Sequence, residues 1–311
     1  MLRSLYVRLT GLLGALTLAV PSPASDIPRF GSGTDLVVLS AVAVDKKGRP
    51  VTNLRRDEFR VYEDGRPQPL QHFSRGPGLP SRLLILVDAS GSMNAELREA
   101  SVRMAIIQVL SSLAPDDEAA LAGFDSRYFG LVPFTRDRDQ ITAAFSELKP
   151  WGTTALHDGL DKAAHDLASH GEGRRAVVVI TDGMDTASRR TPDEVIARSK
   201  ALDVPIYTVS VVSPLDDPQS ERFAGEENQG AATEGALVLE RYAELSGGAA
   251  FIVSDFRNLK LAADRIVGEL KHQYRLGYDP PPGPATFRRV EVRSTRRGVV
   301  VKTRSGYVPR S

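Results

Sequence analysis

The hydrophobic rhythm of the chain changes near residue 80. From Leu36 to Phe73 short alternating apolar pieces are broken by DKKGRP and EDGRP, both rich in turn formers, which predicts a small set of strands. From Leu83 the apolar runs become continuous: LLILV at 83–87, AALAGF at 119–124, AVVVI at 176–180, PIYTVSVV at 205–212 and AAFIV at 249–253. Between them lie stretches of helical spacing, as at Leu97, Met104, Ile107 and Leu110. Buried runs alternating with helices predict a doubly wound α/β fold, its mostly parallel sheet covered on both faces. FGLVPF, at 129–134, follows AALAGF after a few turn-like residues, so it is expected to pair antiparallel at an edge.

A helix from about Asn258 to His272 closes this region, and after Tyr274 the pattern is β-like again. EVRSTRRGVVVKTR reads as a hairpin around Arg297 and Gly298. Each β flank, at roughly 40 residues, is too short to bury a core alone. The two are therefore expected to pair into one β-sandwich-like domain, with the α/β region inserted between them. The expected organisation is an export signal at 1–24, a β segment at 34–75, the α/β domain at 80–272 and a second β segment at 273–311. Ser74 to Ser81 reads as a linker, and 213–236 is a long Gly-, Ala- and acid-rich loop.

Composition narrows the setting more than the chemistry. Forty basic residues against 39 acidic ones give a net charge of +1, so no global field calls for a nucleic acid or a membrane surface. Arg3 and Arg8, the apolar run Leu9–Val20 and the small residues Ser22 and Ala24 have the layout of a secretory signal cut after Ala24. The alternative is an uncleaved anchor, for which the run is short of the ~20 residues a spanning helix needs. With no cysteine, an exported chain has to be stable without disulfides and cannot be lipidated through an N-terminal cysteine. The expectation is an exported bacterial protein, periplasmic or extracellular, with no integral span after signal cleavage.

The candidate chemistry lies at strand ends, where open α/β sheets collect ligands. Asp88, Ser90 and Ser92 follow LLILV at i, i+2 and i+4, which in extended chain turns three oxygen groups to one side. Gly91 allows a tight bend between them. GTTAL offers Thr153 or Thr154 just before a helix, and VVVITDG places Asp182 directly after another buried strand. The set holds carboxylates and hydroxyls with no nitrogen or sulfur donor, which suits Mg²⁺, Mn²⁺ or Ca²⁺ and argues against zinc or copper. Taken singly, the serines could cap a helix and Asp182 could serve a turn.

This constellation resembles the von Willebrand factor type A domain with its metal-ion-dependent adhesion site. Asp88-Ala-Ser90-Gly-Ser92 matches the Asp-x-Ser-x-Ser element, Thr154 the threonine and Asp182 the late aspartate, across about 80–270. Gly152-Thr153-Thr154 departs from the frequent Gly-Gly-Thr and leaves the ligating hydroxyl ambiguous by one residue. The flanks DKKGRPVTNLRRDEFRVYEDG, YRLGYDP and RSGY are similar to those of bacterial exported members. The resemblance implies that Ser90, Ser92 and Thr154 touch the ion directly, Asp88 and Asp182 often through water. It further implies a non-enzymatic adhesion module in which an aspartate or glutamate of a protein partner completes the ion's coordination. The rival expectations are a hydrolase using metal-bound water and a structural envelope protein.

Other polar residues carry plainer readings. His157 reads as a polar residue opening a helix, since no nucleophile or paired-histidine spacing accompanies it. Asp158, Asp161 and Asp166 are assigned to the solvated face and N-terminal end of that helix, and Asp125 and Asp185 to turns. The loop 213–236 is either a lid or specificity element or an insertion, and Glu226 or Glu227 could reach the ion of a second copy, giving self-association. The basic C-terminal residues, Arg288, Arg289, Arg293, Arg296, Arg297, Lys302 and Arg304, read as a charged sheet surface rather than an anion site.

Overall fold

A computed structural model describes residues 36–75, 80–91, 96–170, 173–211, 229–253 and 256–309. The expected export signal, most of loop 213–236 with Glu226 and Glu227, and Ser92 lie outside the described residues.

The continuous apolar runs become the strands of one six-stranded sheet. In chain order they are β5 (Ser81–Asp88), β6 (Glu118–Phe124), β7 (Tyr128–Thr135), β8 (Arg174–Ile180), β9 (Ile206–Val211) and β10 (Ala250–Val253). Their spatial order is β10-β9-β8-β5-β6-β7, all parallel except β7, which pairs antiparallel with β6 at the edge. Because side chains alternate along a strand, β5 feeds two cores. Leu83, Ile85 and Val87 pack under α1 (Glu96–Ser112), α2 (Arg138–Ser146) and α6 (Phe256–Lys271). Leu84 and Leu86 pack under α3 (Leu156–Ser169), α4 (Pro192–Leu202) and α5 (Gln229–Ser246). A strand buried on both faces has no place for polar alternation, which explains the unbroken apolar runs. The expected loop ends earlier than predicted, since α5 already starts at Gln229.

The two flanks interleave into a sandwich of two antiparallel sheets. One has the order β13-β1-β11-β4, from β1 (Val37–Asp45), β4 (His72–Ser74), β11 (Tyr274–Tyr278) and β13 (Val299–Lys302). The other has the order β14-β12-β2-β3, from β2 (Phe59–Glu63), β3 (Arg66–Gln68), β12 (Arg288–Ser294) and β14 (Gly306–Tyr307). Leu39, Leu54, Phe59, Val61, Tyr274, Leu276, Tyr278, Val290 and Val292 form its core. The expected hairpin around Arg297 and Gly298 is not formed: β12 pairs with β2 and β13 with β1, in different sheets. The turn crosses the sandwich: β12 adds to the sheet of β2, and β13 to that of β1.

The basic C-terminal residues also differ from a uniformly solvated surface. Arg289, Arg293 and Arg297 are exposed, but Arg288 is buried against Glu63 and Arg304 is buried beside Asp203, while Arg296 meets Glu58 and Lys302 meets Glu269. The acids are supplied by other elements, out of reach of a local sequence reading. Arg304 and Lys302 thereby tie the sandwich to α4's end and to α6. Gly247, at φ +93°, lets the chain after α5 press on the Thr303 backbone, where a Cβ would come within 2.8 Å.

Candidate metal centre

β5 lies between β8 and β6, so its last residue, Asp88, sits at the middle of the sheet's carboxyl edge. The carboxylate is 1% exposed. One oxygen accepts from the Ser90 N–H at 2.9 Å and the other from the Thr181 hydroxyl at 2.7 Å. Burial pushes its pKa up, against the lowering pull of the Ser90 and Thr181 hydrogen bonds, and the nearby Asp182 charge adds to the rise. Among the described residues no lysine or arginine pairs with Asp88.

Backbone bonds fasten the neighbouring loops to this strand end. Trp151 donates its N–H to the Ala89 carbonyl at 2.8 Å, and Gly91 donates to the Gly152 carbonyl at 3.0 Å. Gly152, at φ +85°, turns the chain so that Thr153 is exposed and Thr154 is buried at 4%. The Thr154 N–H donates to the Thr186 hydroxyl at 3.0 Å, and its carbonyl accepts from Thr186 and Ala187. Asp182 follows β8 and accepts from the Met184 N–H at 3.1 Å. Gly183, at φ +87°, lets α5 approach so closely that a Cβ would lie 2.9 Å from the Gly235 carbonyl carbon. Asp88, Ser90, Thr154 and Asp182 thus stand on three loops of one rim.

The donor set fits a hard divalent ion. Its groups are oxygens only, and a deeply buried carboxylate beside a second one gains from a nearby cation. Among the described residues no three His, Asp or Glu side chains converge on a common point, so an ion here would depend on hydroxyl oxygens as well.

The remaining polar residues are occupied within the fold. Asp125 accepts from Ser126 and Arg127, and Asp185 from both the N–H and the hydroxyl of Ser188. His157 is buried, its Nδ1 2.9 Å from the Tyr242 hydroxyl and its ring 3.9 Å from Asp185; burial lowers its pKa, partly offset by Asp185 and Asp158. The solvated-face reading of α3's acids fails at Asp161, which is 3% exposed and held by Arg190 and Arg198 of the following loop and α4. Asp166 accepts from the Tyr128 hydroxyl, and Asp158 receives the N–H groups of Arg189 and Arg190. The sequence reading missed Thr181, whose hydroxyl braces Asp88, although it stands directly before Asp182; it also missed Thr186, whose role depends on a loop contact.

Comparison with known proteins agrees with the fold. Residues 83–184 match the von Willebrand factor type A domain. The chain is 26% identical over 233 residues to a UPF0353 protein of Mycolicibacterium gilvum and, equally, to one of Mycolicibacterium vanbaalenii. The matches cover 69% of this chain and 66% of each relative, so the chain spans just under two thirds of the curated relatives' length. Among solved structures it is similar to a von Willebrand factor type A protein from Catenulispora acidiphila, with a TM-score of 0.51 and 13% identity over 81% of this chain and 73% of that one. The conserved hypothetical protein BatB from Bacteroides thetaiotaomicron superposes with a TM-score of 0.47 and 18% identity, over 61% of this chain and 97% of that one. From the strand order and the matched segment together, the chain carries a von Willebrand factor type A domain.

Proposed function

We propose that the protein is an exported, non-enzymatic binding module that takes an acidic residue of a protein partner through a divalent ion, Mg²⁺ or else Mn²⁺ or Ca²⁺, at the Asp88 rim. The observation that carries this reading is the buried Asp88 carboxylate, braced by Ser90 and Thr181, paired with no lysine or arginine among the described residues and raised in pKa by the nearby Asp182 charge. Ser90, Ser92 and Thr154 would hold the ion, with Asp88 and Asp182 behind them. Thr154 is preferred to Thr153 because its backbone is fixed on both sides. An ion held mainly by neutral hydroxyls keeps charge to offer an outside carboxylate. No helix among the described residues is long and apolar enough to cross a membrane. Export rests on the N-terminal pattern of the sequence, and N-terminal sequencing of the mature protein should begin at Ser25.

The test is capture of partners from an envelope extract in Mg²⁺ and in chelator, with wild type and Asp88→Ala, alongside calorimetric titration of Mg²⁺. Capture lost with chelator and with Asp88→Ala supports the reading; capture indifferent to both overturns it. Turnover of phosphoester or peptide substrates that disappears in Asp88→Ala would favour a metal-dependent hydrolase instead.

A further inference from the structure

Among the described residues the chain's single tryptophan is the most exposed large apolar side chain. Trp151 is 81% exposed, and it stands on the rim rather than at a chain end. Its backbone is not free: the N–H bond to Ala89 and the adjoining Gly91–Gly152 bond fasten it to the segment that carries Asp88 and Ser90. A large aromatic left in water on a fixed loop forgoes about 2–3 kcal/mol of burial. Across the same rim, Met184, two residues past Asp182, is 37% exposed.

Among the described residues, exposed positive charge predominates around these two, with Glu147 the exposed acid nearest in sequence to Trp151. Arg127, Lys149 and Arg189 are exposed, and none forms an ion pair among the described residues. Arg127 sits in the turn whose Asp125 carbonyl receives the Ala155 N–H, and Arg189 follows the segment whose Thr186 and Ala187 N–H groups bind the Thr154 carbonyl. By contrast, the carboxylates of Asp158 and Asp185 spend both oxygens on donors of the rim's own loops, and Asp125 spends one. An approaching chain therefore meets an aromatic face and three unpaired cations.

We infer that Trp151, with Arg127, Lys149 and Arg189 around it, forms a docking surface for an acidic protein segment that carries a large apolar side chain beside its acids. The apolar side chain covers the indole and the neighbouring acids face the three cations. The inference rests on the reading above for the acid that meets the ion, and adds what selects the segment around it. Tryptophan is the residue type that most often dominates interface energies, and exposed unpaired charges act chiefly on the rate and salt dependence of encounter.

The probes are short labelled peptides in three forms: Glu-rich with Asp-Leu, the same with Asp-Gly, and the Asp-Leu form with its glutamates replaced by Gln. Binding is followed by anisotropy with the full chain in Mg²⁺ and in chelator, and wild-type Trp151 emission is recorded in parallel. The Asp-Leu peptide is expected to bind about tenfold tighter than Asp-Gly. Trp151→Ala removes that difference, Trp151→Phe restores most of it, and wild-type emission shifts to the blue on binding. The triple change Arg127→Gln, Lys149→Gln, Arg189→Gln slows association and flattens its salt dependence. Equal affinity for Asp-Leu and Asp-Gly, indifference to Trp151→Ala, or no saturable binding at about millimolar peptide overturns the inference. Mg²⁺-dependent binding with those indifferent results leaves the ion reading standing without the docking surface; binding that needs Trp151 but ignores chelator and Asp88→Ala does the reverse.

Discussion

Glu63 shows what a single residue does in this fold. The carboxylate ends β2 at 2% exposure and accepts from Arg288 at 2.9 Å, from the Tyr278 hydroxyl at 2.6 Å and from the Tyr307 hydroxyl at 2.9 Å. Burial first and the Glu63 carboxylate next push the Tyr307 phenol up to about 12, so it stays a donor. Glu63, Tyr278 and Tyr307 come from the EDG, YRLGYDP and RSGY stretches, and Arg288 from the strand between the last two. Their recurrence as motifs was legible in the sequence, but their convergence was not, because the contacts join residues 215 to 244 positions apart. Removing the acid leaves a buried guanidinium unpaired, so Glu63→Ala should cost about 3–5 kcal/mol in urea unfolding, and Glu63→Gln less. A second residue sets an acid limit. The folded pKa of His157 is held below 6.5 by burial, so below that pH the unfolded chain binds the proton more readily and stability falls. Stability measured from pH 6.5 down to about 5 should decline less steeply in His157→Gln than in wild type.

At the level of elements, periodicity was informative wherever one environment surrounded a whole strand. All five parallel strands and the antiparallel edge were legible because burial on both faces writes an unbroken apolar run, and a short turn leaves only one pairing direction. The buried stripe of α1 was less so. Val102, Ala105, Ile106 and Val109 face the sheet, while Met104 and Ile107 of the predicted stripe are only half-buried, since nearly the whole helix is apolar there and several stripes compete. The false hairpin has a related cause: two strands joined by a turn look alike whether they pair or cross between sheets. The rim was legible as residue types at strand ends; Thr181 and Thr186 were not, because a hydroxyl's partner is fixed by tertiary contact. The interleaving has a direct consequence for β1, which lies between β13 and β11, both from the C-terminal flank. Removing residues 274–311 should expose 36–74 to limited proteolysis; a protease-resistant 36–74 segment after truncation would contradict this pairing.

In the molecule as a whole the sandwich and the rim lie at opposite ends of the α/β domain's strands. The rim stands at the carboxyl ends of the strands, while the sandwich meets the opposite end of the α/β domain: Ser305 donates to the Leu245 carbonyl and Arg304 to that of Lys200, both near helix C-termini. Among the described residues the sandwich thus contacts the end of the α/β domain away from Asp88. An ion that binds only the folded rim stabilises the chain by linkage, by about 2.7 kcal/mol at a hundredfold excess over its dissociation constant. Mg²⁺ should accordingly raise the melting temperature of wild type and leave that of Asp88→Ala unchanged, as read by calorimetry against a chelator control.

The placement of β1 between two antiparallel neighbours also decides how the molecule bears a pull. Its ladders run from Val37 opposite Tyr278 to Asp45 opposite Val299, and their bonds lie across the strand axis. Tension applied along the axis of β1 loads those bonds side by side in shear, so they must yield together instead of peeling one after another. A pull directed along that strand would therefore meet two ladders at once, one on each side.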